Sequence, residues 1–120
     1  MMKTKYDFSI SQQVAETMSI EIVDNLGAPR NLSNYSFKLD CRQQAGAEAT
    51  FFSLSSDEGT IILDTTQTNK VWLVFRHDMT KDLNFDRGLY DLLAYDVSKS
   101  HVEVLMTGQV TLNKTVTKLN

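Results

Sequence analysis

Two histidines, one cysteine and a few short acidic groupings are the residues of this 120-residue chain whose types could do chemistry. His77 and His101 are far apart in sequence. A metal site would need carboxylates converging on them, so two surface histidines are expected. Cys41 continues the alternation of Tyr35, Phe37 and Leu39. It is expected inside a strand as a small apolar residue, because a reactive thiolate needs exposure and a positive neighbour. Arg42 is adjacent but points to the opposite face of such a strand. A lone cysteine also excludes an intrachain disulfide and a multi-thiolate metal site. Asp78, Asp82 and Asp86 are spaced by four. They lack the dense Asp/Asn/Gly pattern of a calcium loop, and acids early in a short helix complement its dipole. Asp57-Glu58-Gly59 reads as a solvated turn, since neighbouring turn residues diverge and nothing apolar beside them would lift a pKa. Trp72, between Val71 and Leu73, is expected as a core aromatic. No nucleophile elbow, phosphate loop or dinucleotide fingerprint occurs. No catalytic, cofactor-binding or metal-binding residue is therefore assigned, no cofactor is expected, and the chain is not expected to be an enzyme.

The elements that would position these residues are strands. Thr, Val and Ile together number 26, against 6 Ala; β-branched side chains suit a pleated surface and lose rotamer freedom in helices. Tyr6, Phe8 and Ile10 alternate with polar residues, as do Met18, Ile20 and Ile22, and Tyr35, Phe37, Leu39 and Cys41. A period of two puts one face inward and one toward solvent. Further strands are expected at 51–54, 60–63, 70–75 and 89–95. Another runs from 101 to 106 and continues past Gly108, which could mark a bulge. The run 70–75 is apolar enough to suggest a central strand buried on both faces. Asp24 to Pro29 forms a turn, with Gly27 free to take positive φ and Pro29 fixing φ after it. Gln43 to Glu48 is the loosest loop. A helix of about one turn and a half is expected over 78–83, capped by Asp78. The predicted core includes Phe8, Ile20, Ile22, Phe37, Leu39, Trp72 or its neighbours, Leu92 and Val104. Seven or eight strands at this spacing, without repeat or linker, predict one all-β sandwich domain over 1–120, with short terminal arms.

Charge narrows the partners. Lys plus Arg number 12 and Asp plus Glu 15, for a formal net charge of -3. Neither half of the chain forms a basic stripe, so nucleic acid is not an expected partner. The longest apolar run, Val71 to Phe75, is far short of the ~20 residues of a membrane span. Asp7 and Ser9 interrupt what would be a signal-peptide core. No membrane partner is expected.

Four segments then stand in a telling order: Tyr6-Asp7-Phe8; Asp24-Asn25-Leu26-Gly27-Ala28-Pro29-Arg30-Asn31-Leu32-Ser33-Asn34-Tyr35; Gly88-Leu89-Tyr90-Asp91-Leu92; and Leu105-Met106-Thr107-Gly108-Gln109-Val110. The order resembles small tailed-bacteriophage structural proteins with an immunoglobulin-like β-sandwich, related to the N-terminal domain of baseplate upper proteins. The third segment departs from the family pattern by having two residues fewer before Asp-Leu. The resemblance implies an immunoglobulin-like antiparallel sandwich and a virion structural role, in the tail or baseplate or as a capsid decoration (staple) protein. The implied partners are other virion proteins, either of the tail or baseplate or the major capsid protein; many copies on a larger assembly, with self-association, are expected from terminal edge strands that carry few charges. The implied location is the virion, after synthesis in the cytoplasm of the host bacterium. The terminal residues Met1 to Lys5 and Leu119-Asn120 are expected either to order only within an assembly or to pair within their own sheet. The alternative is a carbohydrate-binding β-sandwich module, although Tyr90 and Tyr95, five apart, would face opposite sides of a strand.

Overall fold

The computed structural model describes residues 4–119. In chain order the elements are β1 (Thr4–Lys5), β2 (Phe8–Ser11), β3 (Glu16–Glu21), β4 (Ser36–Arg42), β5 (Phe52–Ser55), β6 (Ile61–Leu63), β7 (Lys70–Phe75), α1 (His77–Thr80), β8 (Arg87–Tyr95) and β9 (Val102–Asn113). They form two sheets. One is ordered β1-β9-β8-β4-β5, with β2 also pairing β9 along the β1 edge; the other is ordered β3-β7-β6. Taking β1 and β2 together as strand A, and β3 onward as B, C, C′, D, E, F and G, the layers are A-G-F-C-C′ and B-E-D. This is an immunoglobulin-like sandwich. One pairing departs from the antiparallel expectation: β1 and β2 run parallel to β9. A parallel pair cannot be closed by a hairpin, and here almost the whole chain separates the two partners.

The core lies between the sheets, where the period-two residues converge. Ile10, Phe37, Leu39, Leu54, Val71, Leu73, Phe75, Leu92 and Val110 are fully buried there. Phe8 meets Tyr90 edge-on at 5.0 Å and Phe52 meets Phe75 at 5.7 Å, geometries that suit the ring quadrupole.

Two core expectations fail for local reasons. β7 is buried on one face only, alternating half-buried and buried residues. A three-stranded sheet facing one partner leaves its other face to solvent, so Val71 and Leu73 enter the core and Trp72 does not. The indole of Trp72 instead donates to Asp64 Oδ1 at 2.9 Å, with Lys70 Nζ 5.6 Å from its ring centre. Val104 is half-buried, and Leu105 takes the core place. Leu92 pairs with Met106 but Leu93 with Val104, so Leu105 is a bulge residue and the alternation flips there.

Gly108 was a candidate bulge, yet β9 runs straight through it. The irregularity lies opposite, where the first strand breaks at Tyr6-Asp7. A Cβ on Gly108 would stand 2.0 Å from Tyr6 O. The break is hydrogen-bonded in place: Tyr6 N donates to Thr107 O at 2.8 Å, Tyr90 Oη to Tyr6 O at 2.6 Å and Gln109 N to Asp7 Oδ1 at 2.9 Å.

The helical turn is shorter than expected and lacks its expected cap. It spans His77–Thr80, with Arg76 at the N-cap and Asp78 inside the first turn. What anchors it is Thr80, whose buried hydroxyl donates to Val14 O at 3.0 Å. At the C-terminus, 115–119 forms no strand. It is tied down by the corner between β2 and β3. Gln13 Nε2 donates to Thr115 Oγ1 at 2.5 Å and Thr117 O at 2.6 Å, and Leu119 N donates to Gln13 Oε1 at 2.6 Å. Buried Gln12 accepts from Lys118 Nζ at 2.9 Å and donates to Leu83 O at 2.8 Å. Thus Thr4, Lys5 and Leu119 have partners within the chain itself, whereas residues 1–3 and 120 of the expected terminal arms lie outside the described residues.

Candidate functional site

Three connections meet at one end of the sandwich: β3 to β4, β6 to β7, and the β8–β9 hairpin. Each folds around an aspartate that accepts several hydrogen bonds, as Asp does in Asx-type turns. Asp24 Oδ1 accepts from Leu26 N at 2.8 Å and Ala28 N at 2.9 Å, and Gly27 takes a φ of 83° in the same turn. Asp64 Oδ2 accepts from Thr66 N at 3.0 Å and Gln67 N at 2.9 Å, while Oδ1 takes the Trp72 indole. Asp96 Oδ1 accepts from His101 N at 3.2 Å and Oδ2 from Ser100 Oγ at 2.8 Å. Such bonds favour the charged form. The Trp72 indole and the Thr66 and Gln67 amides hold the Asp64 carboxyl far below the usual range; the His101 amide and Ser100 hydroxyl lower that of Asp96.

The loops are also tied to one another. Leu32 N donates to Thr68 O at 2.8 Å, joining the first loop to the second. Arg30 reaches from the first loop to Glu103 on β9. His101 Nε2 donates to the other oxygen of Glu103 at 2.5 Å. Burial alone would raise the Glu103 carboxyl, but the bonds from Arg30 and His101 outweigh it and it stands below its ordinary value. On this stiff platform two apolar side chains stand in solvent: Leu26 is 92% exposed and Val97 95%. Between the loops lies an open groove lined by Asn34, Tyr35, Asp96 and Val97.

A second concavity, of about 560 Å³, lies on the outer face of the larger sheet. Its floor includes Asp40, Leu89, Asp91 and Thr107, and Lys5 and the 44–46 loop wall it. Arg42 fixes that loop by donating to Ala47 O at 3.0 Å and Glu48 O at 2.9 Å, and also bonds Asp40 Oδ2 at 2.9 Å. The surface offers charged and amide groups but no aromatic row. Tyr90 faces the core and Tyr95 is half-buried.

The residues with chemical potential do not converge. His77 sits at the opposite end from His101, its Nδ1 donating to Gln13 O at 2.5 Å. Cys41 is fully buried, and burial pushes its thiol up to about 12. Asp86 is paired with Lys114 at 3.1 Å, while Asp78 lies in the α1 turn. Glu58 folds back on its own turn, its N–H donating to Ser55 Oγ at 3.1 Å. Among the described residues no group of three or more His, Cys, Asp or Glu side chains could hold a metal ion, and no helix is long and apolar enough to cross a membrane. Sequence reasoning had marked the Asp24 turn. It missed the turn at Asp64 and the role of Asp96 in the turn before β9, for which an aspartate two or four residues before Thr or Ser was the available signal. It also missed the Arg30–Glu103–His101 link, which has no local signal.

The sequence matches no protein-family model, and no curated protein matches it.

Proposed function

We propose that this chain is a non-enzymatic structural protein of a tailed phage or prophage virion, docking on other virion proteins through the loop-bearing end of its sandwich. The observation that carries the reading is the pair of exposed apolar tips, Leu26 and Val97, on loops whose backbones are already hydrogen-bonded into shape. Pre-ordered apolar anchors lose little conformational entropy on binding and suit burial in a partner's pocket. The ordered motifs that resemble phage sandwich proteins point the same way. Both placements, tail or baseplate and capsid exterior, accommodate such a module.

The test is gradient-purified particles from a host carrying the gene. The protein should band with particles, and gold-labelled antibody should mark either heads or tails. Particles that form normally and lack the protein would reject the reading. Leu26→Asp combined with Val97→Asp should leave the thermal midpoint nearly unchanged, since both side chains are exposed, and sharply reduce incorporation.

The groove over Asp40, Asp91 and Gln109 supports the second reading, a carbohydrate-binding module. A glycan array with several strong hits, lost on Arg42→Ala, would favour it over docking.

A further inference from the structure

β3 is an edge of the smaller sheet. In an antiparallel ladder residues alternate between bonding their neighbour and facing away. Ile22 N donates to Asn69 O at 2.8 Å, and the register pairs Ile20 with Val71 and Met18 with Leu73. The even-numbered residues therefore bond β7. Thr17, Ser19 and Glu21 turn their N–H and C=O groups outward, and no hydrogen bond from the described residues reaches those groups. Their side chains are exposed as well.

The other edges are closed or short. On β5, Ser55 N donates to Thr60 Oγ1 at 2.8 Å and Ser55 O accepts from Thr60 N at 3.0 Å. β6 has 3 residues. The β1–β2 edge is broken at Tyr6-Asp7, and Ser11 N donates to Glu16 Oε1 at 3.1 Å. Among the described residues only β3 offers an edge run of 6 residues, and it carries no proline, lysine or bulge, its charges being the glutamates at its two ends; charge, proline and bulges are the devices that normally protect an edge.

We propose that β3 pairs with β3 of a second copy, antiparallel about a two-fold axis through Ser19, joining the two smaller sheets into one. The charge pattern selects this occupant. With Ser19 opposite Ser19, Thr17 faces Glu21 of the second copy and Glu16 faces Ile22, so the strand's only two charges meet neutral residues. Every outward N–H and C=O then finds a partner. On the core side half-buried Met18 lies against Ile20 of the second copy. A one-residue shift in one direction would set Glu16 against Glu21, like charges directly opposed, and a shift in either direction would put bonding groups against non-bonding ones. A single pair of edge strands is a small interface, so association is weak and concentration-dependent. It leaves the Leu26 and Val97 end free, so it stands apart from the docking reading above.

Sedimentation velocity over a wide concentration range tests it, together with two variants. Wild type should show a monomer–dimer equilibrium. Ser19→Pro removes one outward donor per copy at a position where an edge strand tolerates proline; it should keep the β-type circular dichroism and weaken association by about tenfold or more. Ser19→Cys should be crosslinked to a dimer by a short bifunctional thiol reagent, which spans the Cβ separation of a hydrogen-bonded pair that a disulfide does not fit, while wild type, with only buried Cys41, should not. A wild type that stays monomeric at every concentration overturns the proposal. So does a folded Ser19→Pro that dimerises as wild type, or a Ser19→Cys that does not crosslink. Should Ser19→Pro fail to fold, the crosslink decides.

Discussion

At Gly108 the absence of a side chain is what lets the first strand cross the last. Tyr6 O would lie 2.0 Å from an added Cβ, and the contact is with backbone, which cannot rotate aside. Gly108→Ala is expected to displace the Tyr6-Asp7 crossing and cost about 1–3 kcal/mol by overpacking. Hydrogen exchange should show loss of protection over Phe8 to Ser11 with the β3-β7-β6 sheet unaffected. Unchanged protection there would count against this account. The three carboxyls at the loop end carry a pH signature. Asp64, Asp96 and Glu103 are all held below their ordinary values. A carboxyl depressed on folding adds stability that is fully present above its unfolded pKa and is lost as pH falls through its folded one. Denaturation midpoints should therefore hold from neutral pH to about 5 and fall below about 4. Asp64→Asn should flatten that fall, because the amide cannot be protonated there. A midpoint independent of pH down to about 3 would show that these bonds do not differ between folded and unfolded chains.

At the scale of elements, the corner between β2 and β3 organises more than its own turn. Gln12 and Gln13 hold the C-terminal segment on one side, and Thr80 of α1 holds the corner on the other. The two glutamines should behave differently. Gln13 is half-buried and its bonds reach exposed groups; Gln13→Ala should release the segment with little loss of stability, visible as faster tryptic cleavage after Lys114. Gln12 is buried and serves Leu83 O. Gln12→Ala leaves that carbonyl without its donor, and should cost about 1–3 kcal/mol in equilibrium unfolding. Equal stability of the two variants would mean that burial does not set the value of these bonds.

For the whole molecule, the defining contact is between its ends. β1 pairs Thr4 with Met106, and β2 pairs Phe8 with Val110. The sheet edge cannot close until nearly the entire chain is present. Non-local pairings of this kind must offset loop-closure entropy before they contribute. Refolding from denaturant should accordingly take roughly milliseconds to seconds, measured by stopped-flow fluorescence of Trp72. A microsecond phase with full amplitude would contradict that topology.

What the sequence determined by itself was local and periodic. β-branched composition and the alternation of Phe37, Leu39 and Cys41 or of Ile20 and Ile22 specify strands and their inward faces, because a strand's side chains alternate by geometry alone. The turn at Asp24 to Pro29 was legible for the same reason: its chemistry is contained in six neighbouring residues. The tertiary structure decided whatever depends on distant partners. Trp72 lies outside because β7 has only one sheet to cover it, and Leu105 replaces Val104 because a bulge shifts the register between β8 and β9. The link from Arg30 through Glu103 to His101, the clamp of Gln12 and Gln13 on the C-terminal segment and the open edge of β3 join residues that no spacing relates. Their energies arise only once the two sheets face each other, so no window of sequence contains them.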